Sequence, residues 1–230
     1  MGKVVFVTGI YGSGKSTQIK LLSAYLIDNG YRVGRIWFSD TSPLTIFLLW
    51  LSEKIYYDKT KLILNFNMIR YRFELWKIIE IIWMLLGCIR IYLLSYVYDF
   101  LLVEGNPLDC LVNNEVYFSK KYRFISRIPI ILITPMFFNS KYIHIYLDVN
   151  PYIALHRRLL RGGKYDKHLK GKNTLKFIHY SRGRLRLYKC LSTIIHMSLV
   201  VDASLEVKRI FKKIITYIQK TSALQSIALE

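Results

Sequence analysis

Apolar positions along the chain follow two patterns. Five short runs are almost continuously apolar: 3–8 (KVVFVT), 32–38 (RVGRIWF), 99–104 (DFLLVE), 142–148 (YIHIYLD) and 197–202 (MSLVVD). Strands covered on both faces carry such runs, because neither face can afford alternating polar residues. Between them lie stretches with helical periodicity at 15–28, 43–56, 60–95 (two helices), 106–119, 151–161, 173–191 and 204–220. Pro107 and Pro151 each fall just after an expected strand, in a first helical turn where a missing N–H costs nothing. This alternation predicts an α/β protein, a five-stranded parallel sheet with right-handed crossovers and flanking helices. With no internal repeat and no long polar linker, residues 1–230 are expected to form one domain.

One stretch departs from this layout. Ile81–Tyr98 is eighteen residues long and nearly all apolar, with Arg90 near its middle and Glu80 and Asp99 at its ends. That length approaches a membrane span, but a charge near the centre costs about 2.5–3.5 kcal/mol on insertion. A buried or membrane-touching helix is expected here rather than a span. The run Ile128–Phe138 is broken by Pro129 and Pro135 and is too short to cross.

Composition narrows the class. With 53% hydrophobic and 21% charged residues over 230 positions, disorder is excluded and a full core can be buried without staples. Cys88, Cys110 and Cys190 are odd in number and lack metal-ligand spacing, which argues against a disulfide framework or zinc site and for a reducing compartment. The N-terminus runs straight into a strand without a secretory pattern, and Phe6 stands where myristoylation after Gly2 needs Ser or Thr. A cytoplasmic location is the expectation. The formal charge of +19 favours anionic partners: nucleic acid, an anionic membrane surface or phosphorylated small molecules. An acid-poor solvated surface accounts for the same number.

The specific chemistry lies in residues 9–16, Gly9-Ile10-Tyr11-Gly12-Ser13-Gly14-Lys15-Ser16, a complete G-x-x-x-x-G-K-[ST] motif. It follows an apolar strand and opens a helix, which is where a phosphate-binding loop must sit. Gly9, Gly12 and Gly14 let backbone amides wrap a phosphate, with Ser13 and Thr17 in the same cradle. The helix N-terminus adds a favourable dipole. Lys15 is expected to neutralise the β- and γ-phosphates of ATP, and Ser16 to ligate Mg²⁺. A magnesium shell needs a carboxylate at the end of a neighbouring strand, and Glu104 closes the run 100–103. Asp148 ends another strand, but Asp148-Val149-Asn150-Pro151 is better explained as the start of a helix.

These residues resemble those of thymidylate kinase and its nucleoside-monophosphate-kinase relatives. Gly9–Thr17 with Gln18-Ile19-Lys20-Leu21-Leu22 is similar to that family's phosphate loop and first helix. Leu64-Asn65-Phe66-Asn67-Met68-Ile69-Arg70 resembles the helix whose Phe stacks on the acceptor base and whose Arg hydrogen-bonds it. Val103-Glu104-Gly105-Asn106-Pro107 sits where the family has an acidic-Arg-Tyr segment, and Arg157 to Asp166 resembles its arginine-bearing lid. The resemblance implies a P-loop NTPase-type sheet with a helical lid over roughly 157–172, ATP and Mg²⁺ as cofactors, a nucleotide acceptor and a homodimer. It implies transfer of the ATP γ-phosphoryl to a nucleoside monophosphate, with dTMP the best guess. Phe66 and Arg70 would bind the acceptor base, and Tyr11 takes the place of the acid that meets the acceptor sugar.

Arg157 and Arg161 lie four apart and so share a helix face, as two lid arginines closing over the transferred group would; Arg158 points elsewhere. The departures cluster on the acceptor side: Tyr11, Gly105 for the acceptor-phosphate arginine, and Leu169 for the lid's terminal acid. Two alternatives stay open, a kinase of an unphosphorylated small molecule and a weakly catalytic ATP-binding module docking on nucleic acid or anionic membrane.

Overall fold

The structure, a computed structural model, describes residues 2–38, 74–107, 141–161, 172–194 and 198–227. The described elements run β1 (Lys3–Gly9), α1 (Lys15–Asp28), β2 (Val33–Trp37), α2 (Glu74–Leu94), β3 (Phe100–Glu104), β4 (Tyr142–Asp148), α3 (Pro151–Arg161), α4 (Lys172–Ile194), β5 (Ser198–Asp202) and α5 (Val207–Ile227). The five strands form one sheet in the order β2-β3-β1-β4-β5, with every neighbouring pair parallel. Each strand lies within a residue or so of the apolar run that predicted it. The helices expected at 43–56, at the start of 60–95 and beyond Pro107 lie outside the described residues.

Strand geometry explains the continuous runs. Alternate side chains point to opposite faces, and here both faces are covered. Val5 and Val7 of β1, Leu102 of β3, and Ile143, Ile145 and Leu147 of β4 pack with Ile19, Leu22 and Leu26 of α1 and Ile210, Ile214 and Ile218 of α5. The intervening residues Val4, Phe6, Leu101 and Val103 face the other way, against Met84, Cys88 and Ile91 of α2. Each such side chain contributes about 1.5–3 kcal/mol when fully buried.

The apolar stretch 81–98 is the C-terminal part of α2 and a turn after it. Met84, Cys88 and Ile91 form its core face, while Ile82, Leu86, Ile89 and Leu93 are exposed on another side. Among the described residues, no helix is long and apolar enough to cross a membrane. Burial pushes the Cys88 thiol up to about 12, so this cysteine is an inert core residue.

The parallel order places the C-terminal ends of β1, β3 and β4 side by side, the edge at which open α/β sheets bind ligands. The register pairs Val7 with Glu104 and Gly9 with Leu147. Consequently, the turn after β1 is flanked by the turn after β3 on one side and the start of α3 on the other. At the latter, Asn150 Oδ1 accepts from the Tyr152 amide at 2.9 Å, a helix-capping bond beside Pro151. Asp148 takes a structural role, paired with Lys189 of α4 at 3.1 Å.

Candidate phosphate-binding site

The loop between β1 and α1 is shaped by its glycines. Gly12 has φ 91° and Gly14 φ 96°, both in the left-handed region that L side chains rarely adopt. A Cβ on Gly12 would also lie 2.3 Å from the Ala154 carbonyl oxygen, so the loop packs backbone to backbone against α3. Gly14 occupies the cap position of α1 and has no side chain to bond the first-turn amides. Those donors remain available to an anion at the positive end of the helix dipole. Ser13 is 1% exposed, and its Oγ makes no hydrogen bond. A buried unsatisfied hydroxyl in a glycine-rich turn fits a loop built to close on a ligand.

Lys15 Nζ folds back over the loop and donates to the carbonyls of Gly9 (2.9 Å) and Ile10 (3.1 Å). Ser16 Oγ donates to Glu104 Oε1 at 2.6 Å across 88 positions of sequence. The two residues expected to organise magnesium therefore meet, joined by the Val7–Glu104 register of β1 and β3. A hydroxyl and a carboxylate are hard oxygen donors, suited to Mg²⁺ that keeps water and phosphate oxygens as its remaining ligands. Thr17 is half-buried in the first turn of α1.

The turn after β3 is supported from below. Gly105 has φ 93° and its amide donates to the Val7 carbonyl at 3.0 Å. Asn106 Nδ2 lies 3.1 Å from Nδ1 of His144, whose ring stacks on Phe6 with centroids 5.0 Å apart. Burial lowers the His144 pKa to about 3, so the ring is neutral at physiological pH.

The arginines differ from their expected arrangement. Arg157 Nη1 donates to the Ala203 carbonyl at 2.8 Å, which directs it to the turn after β5, and Arg161 is exposed. It is Arg158 that faces the loop, its guanidinium 5.3 Å from the centroid of Tyr11 and 5.3 Å from that of Phe177. Helical phase identified Arg157 and Arg161 as one face without showing which face meets the loop. Residues 162–171 of the expected lid lie outside the described residues, as do Phe66 and Arg70 of the expected acceptor site.

Tyr11 is 46% exposed at the centre of a ring of cations. Lys15 Nζ lies 5.4 Å from its centroid and the Arg184 guanidinium 5.9 Å. Arg184, on α4, is the residue that sequence reasoning missed. A signal was present: Phe177, Ile178, Ser181, Arg184 and Tyr188 are the buried stripe of that helix, where an arginine is unusual.

No family model matches the chain, and none of the curated proteins compared with it does. Solved structures are similar in fold. Deoxyadenosine kinase from M. mycoides with bound dATP has 20% identity and TM-score 0.57, the alignment covering 94% of this chain and 99% of that one. The same enzyme with the products dCMP and a flexible dCDP gives 20% identity, the same coverage and TM-score 0.58. With bound dCTP it gives 18% identity and TM-score 0.52. The sheet and its flanking helices have the P-loop kinase fold of these structures.

Proposed function

We propose that the chain is an ATP-dependent phosphotransferase of nucleoside-kinase type, moving the γ-phosphoryl of ATP to a nucleoside or nucleoside monophosphate. The observation that carries this reading is the 2.6 Å contact of Ser16 with Glu104, one residue from Lys15, in a loop of complete phosphate-binding sequence. The amides of 12–16 hold the donor phosphates, and Lys15 turns from its own loop carbonyls to their oxygens. Magnesium bound at Ser16 and Glu104 would neutralise charge on the β- and γ-oxygens. The remaining catalysis is positioning and charge stabilisation. Such an enzyme would work in the cytoplasm, where its donor is.

Resemblance of the sequence to thymidylate kinase supports dTMP as acceptor, with Phe66 and Arg70 on the base. A second reading has its own support. Gly105, at φ 93°, offers no side chain to an acceptor phosphate and its backbone disfavours one. The structural neighbours are named deoxyadenosine kinase, which makes an unphosphorylated deoxynucleoside the alternative acceptor.

The test is ADP release from Mg-ATP with dTMP, dUMP, thymidine, deoxyadenosine, deoxycytidine or no acceptor. One acceptor is expected to raise turnover well above the no-acceptor rate, and Lys15→Ala to lower it by about 100-fold or more. Stimulation by dTMP supports the first acceptor, and stimulation by a nucleoside supports the second. No stimulation by any of them, with ATP still bound, would sink the transferase reading.

A further inference from the structure

Helix α5 is apolar on one side and basic on the other. Ile210, Ile214 and Ile218 recur every fourth residue and are buried in the core shared with α1 and the sheet. Lys208, Arg209, Lys212, Lys213 and Lys220 are exposed, and the 21 residues of the helix include no Asp or Glu. Acids beside the helix offset them little. Glu206 reaches Arg209 at 3.8 Å with both side chains largely in water, and Asp202 is engaged by the Ser204 hydroxyl at 2.6 Å.

This arrangement works against the helix itself. Lys208 and Arg209 stand in its first turn, at the positive end of the dipole, where an acid is the favourable residue. Lys208 with Lys212, and Arg209 with Lys213, are like charges one turn apart and repel. A helix face built only for solvation would mix both signs. A polyanion laid along the face turns each repulsion into attraction.

The rest of the face selects the polyanion. Among its described residues the one exposed large apolar side chain is Val207, so the Trp, Phe or Leu anchors of a membrane-surface helix are missing. Nor does it expose an aromatic ring on which the bases of a single strand could stack. A DNA duplex needs neither, because it carries one negative charge per about 1.7 Å of axis. Lys208 to Lys220 span about 18 Å of helix, and none of the five cations lines the cleft of Tyr11 and Lys15. We propose that the solvent face of α5 is a docking surface for the phosphate backbone of double-stranded DNA, held without regard to sequence. This goes beyond the transferase reading and does not rest on it.

Fluorescence anisotropy tests it, with the full chain titrated into a labelled duplex of about 20 base pairs at about 50 to 200 mM salt. Five neutralised phosphates predict a fall in affinity of about 500-fold across that range. Lys208→Gln, Lys212→Gln and Lys213→Gln combined should weaken binding at least about tenfold and lower the salt slope by about three. The same number of exposed cations removed elsewhere, Lys20→Gln, Arg90→Gln and Arg186→Gln combined, should weaken it less than about threefold. Equal weakening by the two triple variants would make bulk charge the cause and overturn the proposal. So would no binding of the duplex at the lowest salt, or tighter binding to a single strand of the same length or to phosphatidylserine vesicles. The α5 variant is expected to keep the wild-type thermal midpoint or exceed it, since repulsion is relieved. A lowered midpoint would show that the cations serve the fold itself, and would overturn the proposal. Lys15→Ala should lose ATP and keep the duplex; loss of both would place the DNA at the loop instead. The transferase reading fails on the acceptor panel, which none of these measurements touches.

Discussion

The glycine-rich loop that carries Tyr11 and the arginine-bearing helices that meet its ring are built in different ways. Every group the loop offers comes from eight consecutive residues, and their geometry is enforced by backbone: left-handed glycines, an uncapped helix start and a close approach to Ala154. The arginine side is assembled from α3 and α4, with Arg158 and Arg184 separated by 26 positions yet touching the same aromatic ring. A local motif can be recognised from its spelling. A constellation drawn from two helices depends on how each helix is rotated, and a rotation of one residue moves a side chain by about 100°.

The largest effect expected from breaking this contrast is at Gly12. Gly12→Ala adds a Cβ that meets the Ala154 carbonyl and forces a side chain into a left-handed φ. A stability loss of about 1–3 kcal/mol is expected in chemical denaturation, with a loss of nucleotide binding by titration. Normal nucleotide affinity in this variant would mean that the loop is not held by its backbone.

A second effect tests the support beneath the loop. In the unfolded chain His144 titrates near 6.5, and in the folded chain near 3 because burial disfavours the charged ring. The unfolded state therefore binds the proton first, and stability falls as pH drops below about 6.5. Between pH 7 and 5 the expected loss is about 2 kcal/mol, read as a falling denaturant midpoint. Asp99, held low mainly by its side-chain bond to Arg32, and Asp202, held low by Ser204, respond only nearer pH 4 and below. His144→Gln should flatten the profile between pH 7 and 5, and a slope identical to wild type would place the origin elsewhere.

The smallest effect separates the arginines. Arg158→Ala is expected to lower turnover about tenfold, consistent with a partly buried cation–aromatic contact. Arg161→Ala, at an exposed position, should change it less than about twofold. The reverse order would show that α3 turns when nucleotide binds, bringing the face predicted from spacing over the loop.

Much of this architecture was legible in the sequence because its physics is local. Apolar runs identified the strands, since a strand covered on both faces has no polar side to show. The order Gly, Lys, Ser after a strand located the turn between β1 and α1, and an acid at the end of an apolar run pointed to Glu104, which Ser16 meets. Pairing Ser16 with Glu104 required a parallel register between β1 and β3, which a strong motif implied without giving a distance. His144 was one polar position within an almost continuously apolar run, and only its burial in the folded sheet shows why it is neutral.

What the sequence determined by itself, then, is the set of strands, the glycine-rich loop after β1 and the side-chain chemistry placed around it: a cation at 15, a hydroxyl at 16 and a carboxylate at 104. The tertiary structure decided which arginines face that loop. Arg157, Arg158, Arg161 and Arg184 are equivalent in composition, and any of them could neutralise a phosphate. Their difference lies in helix rotation and in the tyrosines that fix one guanidinium in place, and both are set by the packing of α3 and α4 on the sheet.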